Sequence, residues 1–170
     1  MLSVFDGLRD VTTLSVFVRL ACALICGGII GIERSYKRRP AGFRTHILIC
    51  IGAAITTLTS QYLYLNMHYF TDMARLGAQV VAGIGFIGAG TIIVTKRQRV
   101  KGLTTAAGLW TSAIIGLTFG GGFYEGGILA TVFIMLAELV FSRIEYRVLE
   151  NVPEINLYME YEGKHCLDDV

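Results

Sequence analysis

The sequence predicts an all-α integral membrane protein, a five-helix transmembrane bundle with its N-terminus outside the cytoplasm and its C-terminus inside. Three observations predict it. The composition is 54% apolar and only 16% charged, with 20 glycines against 2 prolines, and a mean hydropathy of +0.58 lies outside the usual soluble range. Five runs approach the roughly 20 apolar residues that a hydrocarbon core of about 30 Å requires at about 1.5 Å per residue. Lysine and arginine alternate between the connecting segments, as cytoplasmic loops demand. A soluble bundle would instead show amphipathic stripes with charged outer faces, and these runs are apolar all round.

The runs are Leu14 to Ile32, His46 to Leu65, Leu76 to Thr95, Leu103 to Gly120 and Tyr124 to Phe141. Together they make residues 1–150 a transmembrane domain. The first run is no cleaved leader: Asp6, Arg9 and Asp10 precede it and no small-residue cleavage site follows. The third is crowded with small residues. Ala78, Ala82, Gly85 and Ala89 form a stripe broadened by Gly77, Gly83, Gly88 and Gly90, and because helices in lipid associate through close backbone approach, this helix is expected at the centre of the bundle. Gly83, Gly85 and Gly88 also spell GxGxxG, but the dinucleotide fingerprint needs a preceding strand and a tight turn opening a helix, so tight packing is the reading. The fourth run opens on Thr104 and Thr105 and ends in Gly120, Gly121 and Gly122, which suits a short, tilted or re-entrant segment.

Loop one carries Arg34, Lys37, Arg38, Arg39 and Arg44, loop three carries Lys96, Arg97, Arg99 and Lys101, and Arg143 and Arg147 follow the fifth helix, whereas loops two and four offer only Arg75. Loops one and three are therefore expected inside. A shift of sixty residues pairs Gly28 with Gly88, Arg39 with Arg99, Gly42 with Gly102 and Thr45 with Thr105, the pattern of a parallel repeat about an axis along the membrane normal.

Charges within the bilayer are costly and mark candidate functional positions. Arg19 lies about 7 to 8 Å into the first helix; it either snorkels outward or pairs with Asp72 or Glu125. Glu138 lies in the last third of the fifth helix, and Glu33, Arg34 and Arg44 lie at the matching end of the first hairpin. The plain reading is a structural ion-pair network, and the sharper one is a cation or proton site built on Glu33, Asp72 or Glu138. Mg²⁺ requires octahedral oxygen coordination, and no segment supplies a convergent carboxylate set. Gln79 with Thr56, Thr57, Thr59, Thr91 and Thr111 could line a polar path, although such hydroxyls more often bond their own backbone. Cys22 and Cys26 share a helix face and suit a soft metal or, more simply, packing. The histidines His46, His68 and His165 are too scattered for a triad or metal site, so no enzyme and no cofactor are expected, and a net charge of +2 gives no nucleic-acid signal.

After Pro153 the period changes. Ile155, Leu157, Met159 and Tyr161 alternate with polar residues, as in a half-buried strand, so residues 151–170 are expected to begin a cytoplasmic α/β domain that is cut short, or to pair with another subunit.

Four blocks carry a resemblance: Gly31, Ile32, Glu33, Arg34; Ala41, Gly42, Phe43, Arg44, Thr45; Gly83 to Gly90; and Gly102, Leu103, Thr104, Thr105, Ala106, Ala107. In this order and spacing the chain resembles the MgtC/SapB family, and Arg19, Asp72, Arg75, Gln79 and Trp110 also fall where that family's pattern has such residues. The resemblance implies a multi-pass protein of the bacterial inner membrane tied to magnesium homeostasis and, in pathogens, to virulence and survival in the host. It implies an ACT-like domain after the helices, with Ile155 to Tyr161 as its first strand. It further implies a regulator acting on other membrane machinery, including ATP synthase, rather than a Mg²⁺ carrier. Beyond the lipid bilayer, a homodimer through small-residue helix faces is the remaining partner expectation; a cation transporter is the alternative function.

Overall fold

A computed structural model describes residues 3–69, 72–95 and 100–149 of the chain. The expected strand at Ile155 to Tyr161, the domain begun by residues 151–170, and Lys96, Arg97 and Arg99 of loop three lie outside the described residues.

A 3₁₀ turn at Ser3–Leu8 leads into α1 (Thr13–Tyr36), α2 (Phe43–Leu65), α3 (Arg75–Thr91), the two-residue strands β1 (Ile93–Val94) and β2 (Val100–Lys101), α4 (Leu103–Gly120) and α5 (Tyr124–Leu136). A π-helical turn at Ala137–Phe141 and α6 (Ser142–Leu149) follow. The chain divides into two compact units, 1–136 and 137–170.

Local chemistry sets the helix ends. Thr12 opens α1 with a capping box, its hydroxyl accepting from the Ser15 amide at 3.2 Å while the Ser15 hydroxyl accepts from the Thr12 amide at 2.9 Å, which satisfies two orphan donors reciprocally. α1 closes in a Schellman turn: the Arg38 amide donates to Ser35 and the Arg39 amide to Arg34, with Arg38 itself left-handed at φ 53°. α4 closes in the same way, the Gly122 amide donating to Phe119 and the Phe123 amide to Thr118, with the left-handed place taken by Gly122 at φ 75°.

Among the described residues, four helical segments, Thr13–Tyr36, Phe43–Leu65, Leu103–Gly120 and Tyr124–Ile144, are long and apolar enough to cross a membrane. The fourth run, expected to be the doubtful one, is a full 18-residue helix. The third is the short one. Its 17 residues rise roughly 26 Å, because the chain leaves the helix at Ile92 and β1 pairs antiparallel with β2, Ile93 opposite Lys101 and Val94 opposite Val100.

α4, rather than α3, holds the centre, packing on α1, α2, α3 and α5. α3 touches mainly α4 and α2, through Ile84 set against Ala53 and Ala113. Of its small-residue stripe only Gly88 is buried, where an added Cβ would stand 3.5 Å from Ala106 Cβ, while Gly83, Gly85 and Gly90 face open space and Ala78, Ala82 and Ala89 are exposed. The close approach occurs at two other pairs. A Cβ on Gly27 or Gly31 of α1 would lie 2.9 Å or 2.7 Å from atoms of α2, and a Cβ on Gly116 or Gly120 of α4 would lie 2.2 Å or 2.5 Å from the carbonyls of Cys50 and Ala54 on α2. Both pairs have the GxxxG spacing that lets backbones meet in lipid. Around them Ala23, Cys26, Ile30, Cys50, Ala54, Ile115, Phe119 and Tyr124 form the core. Large apolar side chains such as Phe17, Ile32, Leu48 and Phe133 point outward, the arrangement of a protein whose solvent is lipid.

Candidate functional site

The buried charged side chains of the bundle collect at its two ends. At the end where α1 begins, Arg19 is 0% exposed. It does not snorkel, and its hydrogen bonds go to neither Asp72 nor Glu125. The guanidinium donates to Gln61 Oε1 at 2.7 Å and to the carbonyls of Gly120 at 2.9 Å, Arg9 at 2.6 Å and Leu8 at 3.3 Å. Burying the guanidinium without partners would be costly, and these four bonds offset that cost, leaving Nε buried without a hydrogen-bond partner; an arginine one and a half turns into a helix reaches backbone groups that no acid needs to supply. Gly122 leaves room for it: a Cβ there would stand 2.9 Å from Arg19 Nη2.

Glu125 is taken by Arg9, whose Nη2 lies 2.7 Å away while its Nη1 donates to Gly122 O at 3.2 Å and its Nε to Asp6 at 3.2 Å. The Asp6 hydrogen bond, opposed by burial and reinforced by Glu125, holds the Arg9 guanidinium above its ordinary pKa, so Arg9 stays charged in its pairs with the two carboxylates. Tyr124 donates to Leu8 O at 3.1 Å and stacks on Phe5 with ring centroids 4.9 Å apart. Arg9, Arg19 and Tyr124 thereby pin the N-terminal turn over the ends of α1, α2, α4 and α5.

At the opposite end, Glu33 and Arg34 are buried at 8% and 1% exposure. Arg34 Nε donates to Glu33 Oε2 at 2.5 Å, and Lys37 Nζ lies 2.8 Å from Glu33 Oε1. His46, also 0% exposed, holds its Nδ1 2.9 Å from Gly42 O, and its Nε2 is buried with no hydrogen-bond partner, facing the space left by Gly108. Sequence reasoning set His46 aside as one of three scattered histidines; nothing in its spacing signals the burial. Ser35 receives the Phe43 amide at 2.8 Å, tying the two helices of the first hairpin.

The other expected positions stand apart. Asp72 is exposed and accepts the Ala74 amide at 2.9 Å, and Arg75 and Gln79 are exposed on the first turns of α3. Arg44 is exposed and Thr45 half-buried at the start of α2, and Glu138 is half-buried in the π-helical turn of the second unit. Thr56, Thr57, Thr91 and Thr111 each bond the carbonyl three or four residues back in their own helix. Among the described residues no three His, Cys, Asp or Glu side chains converge to hold a metal ion, and Cys50, buried, donates to Ser112 O at 3.1 Å.

These features define a helical membrane protein with two buried polar ends around a glycine-packed centre. The family model described as the MgtC family matches residues 20–147, and the chain belongs to that family. It is 42% identical over 149 residues to the YhiD protein of Escherichia coli K12, whose name carries a provisional magnesium-transporter label, covering 85% of this chain and 69% of that one. It is 37% identical over 131 residues to the protein MgtC of Salmonella typhimurium LT2, covering 77% of this chain and 54% of that one. An uncharacterized Haemophilus influenzae protein is 40% identical over 129 residues, covering 73% and 54%; the chain thus spans about half the length of these last two relatives. No solved structure matches.

Proposed function

We propose that this chain is a multi-pass regulator in the bacterial inner membrane, linked to magnesium homeostasis, that acts through helix contacts with partner membrane proteins and does not itself carry Mg²⁺. One observation carries the reading: the buried charges described at the two ends are engaged in networks among themselves and with backbone carbonyls, while helix backbones meet directly between them. A carrier needs oxygen ligands that a hydrated divalent cation can reach, and the hydroxyls of Thr56, Thr57, Thr91 and Thr111 are turned to carbonyls of their own helices. The exposed face of α3, with Ala78, Ala82, Gly85 and Ala89, suits close approach by a helix from outside the chain. The family resemblance names ATP synthase as one such partner, and a second copy of this chain is another.

Five spans, with the N-terminus outside, fit the charge pattern: by the positive-inside rule, Lys37, Arg38 and Arg39 between α1 and α2, Arg44 in the first turn of α2, and Arg143 and Arg147 after α5 mark cytoplasmic segments. The helix starts Phe43 and Leu103 lie sixty residues apart, each after a capping glycine, Gly42 or Gly102, which supports the repeat.

The label on the Escherichia coli relative favours a second reading, a cation transporter for which Arg19, Glu33, Asp72 and Glu138 are the separate candidate positions. Reconstitution into liposomes loaded with a Mg²⁺-sensitive dye separates the two. No flux above that of empty liposomes is expected; a saturable influx abolished by Glu33→Gln or Glu138→Gln would establish the transporter and end the regulator.

A further inference from the structure

The second unit carries a groove that the regulatory reading does not use. Val140, Arg143, Ile144, Arg147 and Val148 line a hollow of about 460 Å³. Its apolar members recur every four residues along one helical face, and they are exposed at 44%, 51% and 64% in chain order. The two arginines, also four residues apart and exposed, flank that stripe.

We propose that this groove seats an anionic phospholipid, one acyl chain lying along Val140 and Ile144 and the phosphodiester held by Arg143 and Arg147. Continuity with the bilayer argues for lipid over a soluble partner. The apolar helical run Tyr124–Ile144 is long enough to cross the membrane, and it ends inside the groove, so Val140 and Ile144 sit where hydrocarbon gives way to headgroups. Arg143 and Arg147 then stand at headgroup level. A planar guanidinium fork matches phosphate oxygens in pairs, and basic residues next to a span are drawn to anionic lipid. The occupant that satisfies both halves of the groove at once is amphipathic, with one chain and one negative charge.

The test uses the full chain purified from nanodiscs containing equal amounts of phosphatidylglycerol and phosphatidylcholine, with the lipids it retains counted by native mass spectrometry. Wild type should retain phosphatidylglycerol preferentially. Arg143→Gln with Arg147→Gln should lower that preference by roughly fivefold per arginine, and Ile144→Ser should lower retention of both lipids. Arg143→Lys with Arg147→Lys, which keeps both charges, should restore most of the preference, and Arg38→Gln with Arg39→Gln, in a basic loop elsewhere, should leave it unchanged. An unchanged preference in the double glutamine variant overturns the proposal. So does a wild-type chain that retains no phosphatidylglycerol and forms a dimer that Ile144→Ser dissociates, which would give the groove to a second copy.

Discussion

Gly116 on α4 lies so close to Cys50 on α2 that a Cβ placed on it would stand 2.2 Å from the Cys50 carbonyl oxygen. No real Cβ tolerates that distance, so the two helices can keep their separation only while position 116 is glycine. Gly120, one turn on, stands in the same relation to Ala54, and α4 owes its central place to this pair.

Gly116→Ala should therefore force α2 and α4 apart and cost about 3 kcal/mol, at the upper end of what overpacking a core costs. Gly83→Ala and Gly85→Ala, which meet open space, should raise stability by about 0.5–1 kcal/mol by removing glycine's conformational freedom from a helix. Thermal unfolding in detergent reads both. If Gly83→Ala destabilises as strongly as Gly116→Ala, the packing described for α3 is wrong.

The contrast shows what the sequence could and could not disclose. Segment positions came from hydropathy, and each expected run overlaps its helix. α1 runs on to Tyr36 and α2 begins at Phe43 because backbone hydrogen bonding continues where hydropathy stops, and Glu33 beside Arg34 costs little once each neutralises the other. The small-residue stripe misled. Ala78 with Ala82, and Gly85 with Ala89, have the same four-residue spacing as Gly27 with Gly31 and Gly116 with Gly120. Spacing says that a backbone can approach; it does not say whether the approaching backbone belongs to the same chain. The same limit applied to Arg19, where charge pairing suggested an acid and the partners are mainly carbonyls, which carry no signature in sequence.

Arg19 should be among the most sensitive positions. Arg19→Ala strands the Gln61 side chain and the carbonyls of Gly120 and Arg9, while Leu8 O keeps the Tyr124 hydroxyl, and since each orphaned group costs about 1–3 kcal/mol, a loss of about 3 kcal/mol or more is expected. Arg19→Lys should recover little, because an ammonium cannot reproduce four donors in a planar fork. A lysine variant that melts with the wild type would show that charge alone, and not fork geometry, fastens the N-terminal turn.

The two acids on Arg9 should differ in the opposite sense to their pull on its pKa. The Asp6 hydrogen bond is the largest single upward cause, yet its carboxylate is 65% exposed, whereas that of Glu125 is 13% exposed. Water screens the first pair, so Asp6→Asn should cost at most about 0.5 kcal/mol. Glu125→Gln removes a charge-assisted bond from a shielded place and should cost about 1.5–3 kcal/mol. Raising ionic strength should shrink the Asp6 effect first, and equal costs for the two variants at low and high salt would contradict the assignment.

The two Schellman turns give the last prediction, because they place different residues in the same left-handed position. Gly122 adopts φ 75° without strain, while Arg38 adopts φ 53° with a Cβ that the left-handed region disfavours by about 1–2 kcal/mol. Arg38→Gly should relieve that strain and, after the added freedom of the unfolded chain is subtracted, stabilise by about 0.5–1 kcal/mol. Gly122→Ala introduces the strain and sets a methyl group against the Arg19 guanidinium, so it should destabilise by more than the strain alone. Coupling with Arg19 separates the two contributions: in an Arg19→Ala background the contact is gone, and the cost of Gly122→Ala should fall toward the backbone strain. A cost that stays the same in both backgrounds would mean that Gly122 is required only for its φ, and that Arg19 does not depend on the room it leaves.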